Sequence, residues 1–336
     1  MRHLIIFTVL LQFVSFNTYS KKRSERPVAQ AYVVMTLDGK VLKSRNGDSV
    51  RSIASLSKMM ATLVILDEGL LLNKKTMMTD YDWKVAKGGC RTRLKRNKSY
   101  TNRDLLHAAI LGSDNRAIPA LGRSVGLNAQ VLTSKMNSKA KNMGLKHTIF
   151  KDPTGINPGN VSTAKEIVQI LKAAYNNKVL SKIMSTPSYT VKVKGLRSII
   201  YNNTNILTRY RKYGIGAGKT GFNSKAGYCL ATIVKEKNKN PIAYVILGST
   251  GLYRRFTDFY IIRRNVRSSL KVVKNSASIS KNNVIIQRVK RSKNKNAKLK
   301  RTRTAGKKSL KTVKKRKRTA FRSRKTKPSR TASKKY

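Results

Sequence analysis

Apolar and polar positions follow a period of two at both ends of the central part of the chain and a period near 3.6 between them. The run AYVVMTLDGKVLKS gives two short β-rich stretches about Asp38-Gly39, a hairpin signal. Helical spacing follows over Leu56–Leu71, over Asn102–Leu111 with Leu105, Leu106, Ala109 and Ile110 on one face, over Asn128–Met143, and over Thr163–Tyr175. The last of these opens on Ser162 or Thr163 as a cap, with Glu166 in the capping-box region. Strand character returns in GYCLATIVKEKNKNPIAYVILGST, a hairpin with a polar turn, and Phe256–Val266 then reads as a helix. Strands at both ends with helices between them predict an α/β (α+β) domain: one antiparallel sheet assembled from the two ends, flanked by helices, with a helical portion inserted. There is no internal repeat.

Charge changes the picture at the C-terminal end. The formal net charge is +61 over 336 residues, and from Arg288 to Tyr336 about half the residues are Lys or Arg with no Asp or Glu. That segment reads as a disordered tail, not a domain. At the other end, MRHLIIFTVLLQFVSFNTYS has a basic start, an apolar run from Leu4 to about Phe16, and Thr18 and Ser20 as small residues for cleavage. It reads as an export signal, since the run falls short of the about 20 residues that span a bilayer, with an uncleaved membrane anchor as the alternative. The expected organisation is therefore a signal peptide at 1–20, a basic linker at 21–28, a catalytic domain at 29–268, a linker at 269–287 and the tail at 288–336. After signal cleavage no transmembrane segment is expected, and the compartment is the periplasm. Cys90 and Cys229 lack CxxC spacing, so a disulfide is possible there but not implied.

Candidate chemistry begins in IASLSKMMATLVILDEG. Residues three apart share a helix face, so Ser55 and Lys58 can touch, whereas Ser57 points away. A serine hydroxyl needs a base to become a nucleophile, and a lysine serves only when neutral. At an unperturbed pKa near 10.4, deprotonating Lys58 at neutral pH costs about 4 to 5 kcal/mol. Burial on an apolar helix and a second cation nearby would both lower that cost. Alone the pair is weak, because Ser-x-x-Lys recurs at Ser138/Lys141, Ser162/Lys165 and Ser278/Lys281, and a helix-capping serine beside a snorkelling lysine is the plain alternative.

Two further motifs follow in order. Ser113-Asp114-Asn115 lies between one apolar helix and the start of another, and Lys219-Thr220-Gly221 runs into a strand pattern. S-x-x-K, S-D-N and K-T-G form the signature of class A β-lactamases and penicillin-binding proteins. A P-loop is the rival for the third motif, but Gly214 stands one residue too near and the following sequence is β-rich. With KGGCRTRLKRNKSYTNRDLLHAAILGSDNRA, DPTGINPGNVSTAKEI and GKTGFNSKAGYCL, the segment from Ala29 to Val266 resembles the serine-type D-alanyl-D-alanine carboxypeptidases of the S11 peptidase family. These are low-molecular-mass penicillin-binding proteins, and the chain is most similar to the penicillin-binding protein seven kind, which are D,D-endopeptidases.

The resemblance implies a β-lactamase/transpeptidase-like fold with a helical subdomain, and acyl transfer through a serine. It makes Ser55 the nucleophile, Lys58 its base and Ser113 the relay to the departing amine. Asn115 would bind the substrate backbone or Lys58, and Lys219 and Thr220, with Gly221 beside them, would hold the substrate carboxylate. Lys219 would also depress the pKa of Lys58. The backbone amides of Ser55 and Phe222 would form the oxyanion hole. The implied partners are peptidoglycan stem peptides and, as inhibitors, β-lactam antibiotics. No cofactor or metal is expected: His107 and His147 lack metal spacing and read as structural, as do Asp152 and Glu166. The larger carboxypeptidases of the family carry a second β domain and an amphipathic membrane-binding helix after the catalytic domain. Here the sequence turns polar soon after Val266, which favours the endopeptidase kind. No Glu-x-x-Leu-Asn segment lies between the second and third motifs, which disfavours a β-lactamase. The tail would bind anionic cell-envelope polymers. The alternative is a nucleic-acid-binding protein whose tail is the functional part, though with almost no aromatics the tail could not read bases.

Overall fold

The computed structural model describes residues 26–269 except residues 91, 194, 196 and 236–239. The expected signal peptide and tail, nearly all of the 269–287 linker and most of the 21–28 linker lie outside the described residues. By its contacts the chain divides after Val266 into two units, Met1–Val266 and Arg267–Tyr336, and the first holds every described strand and helix except the last turn of the final helix.

Strands β1 (Ala31–Thr36) and β2 (Val41–Arg45) form the expected hairpin, with Gly39 at φ +104° in its turn. After the short β3 (Arg51–Ser52), the 3-10 turn Ala54–Leu56 leads directly into α1 (Ser57–Asp67). Next come β4 (Lys75–Met77), α2 (Asp80–Val85) and β5 (Ser99–Thr101), with β4 and β5 paired. The helices α3 (Asn102–Ile110), α4 (Ala117–Ser124) and α5 (Ala129–Asn142) follow. Then β6 (Val161–Ser162) pairs with β3, and α6 (Ala164–Asn176) and α7 (Lys178–Met184) lead to the hairpin of β7 (Ser188–Val191) and β8 (Ile199–Asn202). A single turn, α8 (Ile206–Arg209), precedes a meander of β9 (Ile215–Asn223), β10 (Gly227–Val234) and β11 (Ile242–Ser249), and α9 covers residues 254–269.

The principal sheet has the order β2-β1-β11-β10-β9 and is antiparallel throughout, so the two ends of the domain meet where β1 pairs with β11. The two-residue alternation of β1 explains the layers. Ala31, Val33 and Met35 face the large core shared with α1, α3, α4 and α6, while Tyr32 and Val34 face a smaller core beneath Phe256, Phe259, Ile262 and Val266 of α9. Each such fully buried apolar side chain contributes about 1.5 to 3 kcal/mol relative to exposure. Asp258 of α9 is buried and accepts from the backbone N–H groups of Val28 (3.0 Å) and Ala29 (3.0 Å) and from the Ser249 hydroxyl (2.7 Å), tying the helix to the entry of β1 and the exit of β11.

Two expectations are corrected. The helix expected over Leu56–Leu71 begins as a 3-10 turn and stops at Asp67, because Gly69 takes a left-handed φ of +80° and ends it. Lys219, Thr220 and Gly221 lie inside β9 instead of leading into a strand; the run expected to follow them, GYCLATIV, is the next strand, β10. Of the two cap candidates Ser162 and Thr163, Thr163 caps α6, accepting from Glu166 N–H; Asn128, not read as a cap, accepts from Val131 N–H at the start of α5.

Candidate active site

Ser55 is the middle residue of the 3-10 turn, and its backbone is placed by strain on one side and clamps on the other. Ala54 adopts φ +47°, a left-handed conformation that a residue with a side chain holds only when its surroundings impose it. Asn160 imposes it: its carbonyl accepts from Ile53 N–H (3.0 Å), and its amide donates to the Ser57 hydroxyl (2.9 Å), which in turn donates to the Ala54 carbonyl (2.8 Å). The two serines therefore divide the work. Ser57 is 1% exposed and holds the turn, while Ser55 opens into the cleft. Ser55 caps no helix.

Lys58 is fully buried at the start of α1. Its ammonium donates to Ser55 Oγ (2.8 Å), Asn115 Oδ1 (2.6 Å) and the Thr154 carbonyl (2.6 Å). Burial pushes its pKa down to about 8, against a smaller opposing pull from Asp152 and Asp114. Among the described residues it has no carboxylate in contact. A neutral amine has two N–H bonds and a lone pair. With the carbonyls of Asn115 and Thr154 accepting the two N–H bonds, the lone pair is left facing the Ser55 hydroxyl. That is the geometry of a base, and at a pKa of about 8 the deprotonation at pH 7 costs only about 1 kcal/mol instead of the 4 to 5 of a free lysine.

The second and third motifs meet across the cleft. Ser113 follows α3 at φ +56°, and Lys219 Nζ donates to its hydroxyl (2.9 Å) and to the Thr220 carbonyl (2.9 Å). Lys219 is 1% exposed, and its pKa lies well below the ordinary lysine value, first through burial and then through repulsion from Lys58 and Arg255. Burial is the leading cause at both lysines, and the repulsion between the two ammonium groups adds to it. Thr220 Oγ1 donates to Thr204 Oγ1 (2.7 Å). All of Ser55, Ser113, Asn115, Thr220, Gly221 and Phe222 line one cleft of about 620 Å3.

Gly221 explains why β9 can approach the nucleophile. A Cβ at this position would lie 2.9 Å from the Ile53 carbonyl oxygen and 3.2 Å from Ser55 N, too close for a side chain. The Ser55 amide therefore lies against the exposed edge of β9, with Phe222 the next residue along. Gly155 does the same from the opposite wall: its hypothetical Cβ would sit 2.0 Å from the Ala54 carbonyl oxygen.

Several positioning groups carry no sequence signal. Thr154 acts through its carbonyl, and the loop presenting it is organised by Asp152, whose carboxylate accepts from the N–H groups of Thr154, Gly155 and Asn157 and from the Thr154 hydroxyl. Asp152 is thus structural, as expected, but in service of Lys58. Asp114 does not cap α4, whose N-cap is Arg116; it accepts from Arg116 N–H (3.0 Å) in the turn before that helix and from Thr92 and Tyr201, and burial raises its pKa. Arg255, 5% exposed, donates to the Gly221 carbonyl (3.1 Å) from the start of α9. An arginine among aromatics is its sole sequence hint, invisible in a chain with 74 Lys and Arg. His107 Nδ1 donates to the Arg103 carbonyl and the ring stacks on Tyr189; His147 contacts Glu166. Both stay outside the cleft lining. Cys90 and Cys229 are free thiols.

A family model described as D-alanyl-D-alanine carboxypeptidase, peptidase S11, matches residues 18–251. The chain belongs to the S11 peptidase family. Among its S11 relatives, the D-alanyl-D-alanine endopeptidase of Pseudomonas aeruginosa is 34% identical over 227 residues, covering 67% of this chain and 73% of that one. The D-alanyl-D-alanine endopeptidase of Escherichia coli is 32% identical over 237 residues, covering 68% and 73%. The crystal structure of the Streptomyces K15 DD-transpeptidase superposes with a TM-score of 0.66 at 28% identity, covering 72% of this chain and 98% of that one. The fold is that of the penicillin-binding and transpeptidase proteins, and the chain is a peptidase of the S11 family.

Proposed function

We propose that this S11 peptidase cleaves D-alanyl bonds of peptidoglycan by a serine acyl-transfer mechanism, with a preference for the cross-link between stem peptides over the terminal D-alanine. The reading rests on one observation above all: a buried lysine, 2.8 Å from Ser55 Oγ, has its other two bonds fixed by neutral acceptors. Three relatives at 32 to 34% identity bear the endopeptidase name, which supports the preference.

In this reading Ser55 Oγ attacks the D-alanyl carbonyl carbon while its proton passes to Lys58 Nζ. The carbonyl oxygen becomes an oxyanion facing the amides of Ser55 and Phe222, each such donor being worth about 3 to 4 kcal/mol. Collapse breaks the C–N bond, and Ser113 relays a proton to the departing amine. A substrate carboxylate beside Lys219 and Thr220 supplies the counter-charge that Lys219 lacks among the described residues, and a charged Lys219 then favours the neutral form of Lys58. Water repeats the sequence in reverse roles and frees Ser55. β-Lactams acylate the same hydroxyl. The enzyme works in the periplasm, and its tail tethers it to anionic envelope polymers.

The test is to treat the purified protein with a labelled penicillin, map the modified residue, and digest cross-linked muropeptides with the parent and with Ser55→Ala. Label on Ser55 and loss of monomer release in the variant are expected. Label elsewhere, or cleavage that persists without the hydroxyl, overturns the assignment.

A further inference from the structure

A second depression of about 570 Å3 lies between α2 and α5, with Tyr81, Lys84, Gln130, Thr133, Lys151 and Pro153 among its lining. Two short segments separate it from the cleft. Val85 lines the groove and Gly88 the cleft, and likewise Pro153 lines the groove and Ile156 the cleft. Each segment passes from one cavity to the other within three residues, roughly 10 Å of chain. The wall is low where they meet: Gly88, at φ +82°, has no side chain to raise it, and a Cβ there would only touch Ile156 at 3.9 Å.

The groove is positively charged. Lys84 and Lys151 are exposed and in no ion pair among the described residues. The acids around them are committed elsewhere. Asp152 also lines the groove, but its carboxylate accepts from the Thr154, Gly155 and Asn157 amides of its own loop, which leaves the two lysines in excess. Asp82 is buried against Arg123 (2.7 Å), and Asp80 pairs with Arg96 (2.7 Å).

We infer that this groove is a second substrate subsite, receiving a carboxylate-bearing peptide arm that leaves the cleft over the Gly88–Ile156 saddle. The inference rests on the endopeptidase reading. A cross-linked substrate continues as peptide on both sides of the scissile bond, whereas a carboxypeptidase releases a single amino acid. An extended peptide advances about 3.3 to 3.6 Å per residue, so three or four residues bridge from the cleft to the two lysines. The groove thereby recognises the feature that distinguishes a cross-link from a free terminus.

Two full-length variants test this. Lys84→Glu with Lys151→Glu reverses the groove's charge, and Gln130→Trp fills it without changing charge. Each is assayed with labelled penicillin, with a single-stem peptide ending in D-alanyl-D-alanine, and with a purified cross-linked muropeptide dimer. Penicillin acylation and single-stem hydrolysis are expected to stay within twofold of the parent. For the dimer, KM is expected to rise about fivefold to tenfold in both variants at low salt, with kcat little changed; for the charge variant the difference shrinks as salt screens the lysines. Dimer KM unchanged in both variants, or a loss shared equally by all three substrates, overturns the subsite. If the parent itself fails to bind penicillin, it is the function proposed above that falls.

Discussion

Gly155→Ala is the substitution that most directly probes how the base is held. The residue sits at φ +86°, where a side chain costs about 1 kcal/mol. More important, the added Cβ would lie 2.0 Å from the Ala54 carbonyl oxygen and 2.8 Å from Ser55 N. An ordinary carbon–oxygen contact is about 3.3 Å, so loop and turn must part by about 1.3 Å. The adjacent Thr154 carbonyl, now 2.6 Å from Lys58 Nζ, then passes beyond hydrogen-bonding distance. A buried ammonium deprived of one acceptor loses about 1.5 to 3 kcal/mol, and a misplacement near 1 Å lowers a rate about a hundredfold. Penicillin acylation, followed by stopped-flow fluorescence, is therefore expected to slow by about 10²-fold, with a fall in Tm of roughly 5 to 15 °C. Gly126→Ala is the control: φ is +77° but nothing lies within 4 Å, so it carries the backbone strain alone and should leave acylation unchanged. Acylation by Gly155→Ala within threefold of the parent would refute the claim that this loop positions Lys58.

Acylation should depend on pH through Lys58, whose neutral form is the active one. Because its pKa is lowered to about 8, the rate constant should rise nearly tenfold per pH unit below that value and level off above it; a rise that continues beyond pH 10 contradicts the assignment. Asn115→Asp keeps an oxygen beside Lys58 Nζ but adds a negative charge, so the midpoint should move up and acylation at pH 7 fall at least about tenfold; an unshifted profile counts against the base. Asp114→Ala strands the buried donors of Thr92, Tyr201 and Arg116, and thermal unfolding should show about 2 to 4 kcal/mol of lost stability. In thiol titration of the native protein, exposed Cys90 should react promptly and buried Cys229 only on unfolding; equal reactivity would place Cys229 wrongly.

Four strands of the sheet were legible because turns bound them and their apolar content is high; β9, rich in glycine and carrying Lys219 and Thr220, was not. The longer helices were legible from their apolar spacing, and α6 also from its cap, Thr163. The three motifs were legible because side chains do their chemistry. The 3-10 turn at Ala54–Leu56 was not, since its cause is remote: Asn160 clamps it from over a hundred residues away, and a local period cannot carry that. Thr154 and Gly155 were missed for a related reason. One acts by its carbonyl and the other by lacking a side chain, and neither property writes a pattern. The short α7 and α8 and the β7–β8 hairpin are held largely by tertiary contacts, with Tyr201 packed where a Cβ on Gly112 would meet it at 2.3 Å.

The placement of the few acids follows from the chemistry of the base. A carboxylate in contact with Lys58 would stabilise its charged form and offset the effect of burial. Asp152 and Asp114 are the acids whose charges reach Lys58, and both raise its pKa. Yet each is held away by its own donors, Asp152 by the amides of its loop and Asp114 by Thr92, Tyr201 and the Arg116 amide. They shape the loops that carry the Thr154 carbonyl and Asn115, the two neutral acceptors of Lys58. The site thus takes geometry from its carboxylates while keeping their charge at a distance, and that separation lets a buried lysine lose its proton near neutral pH.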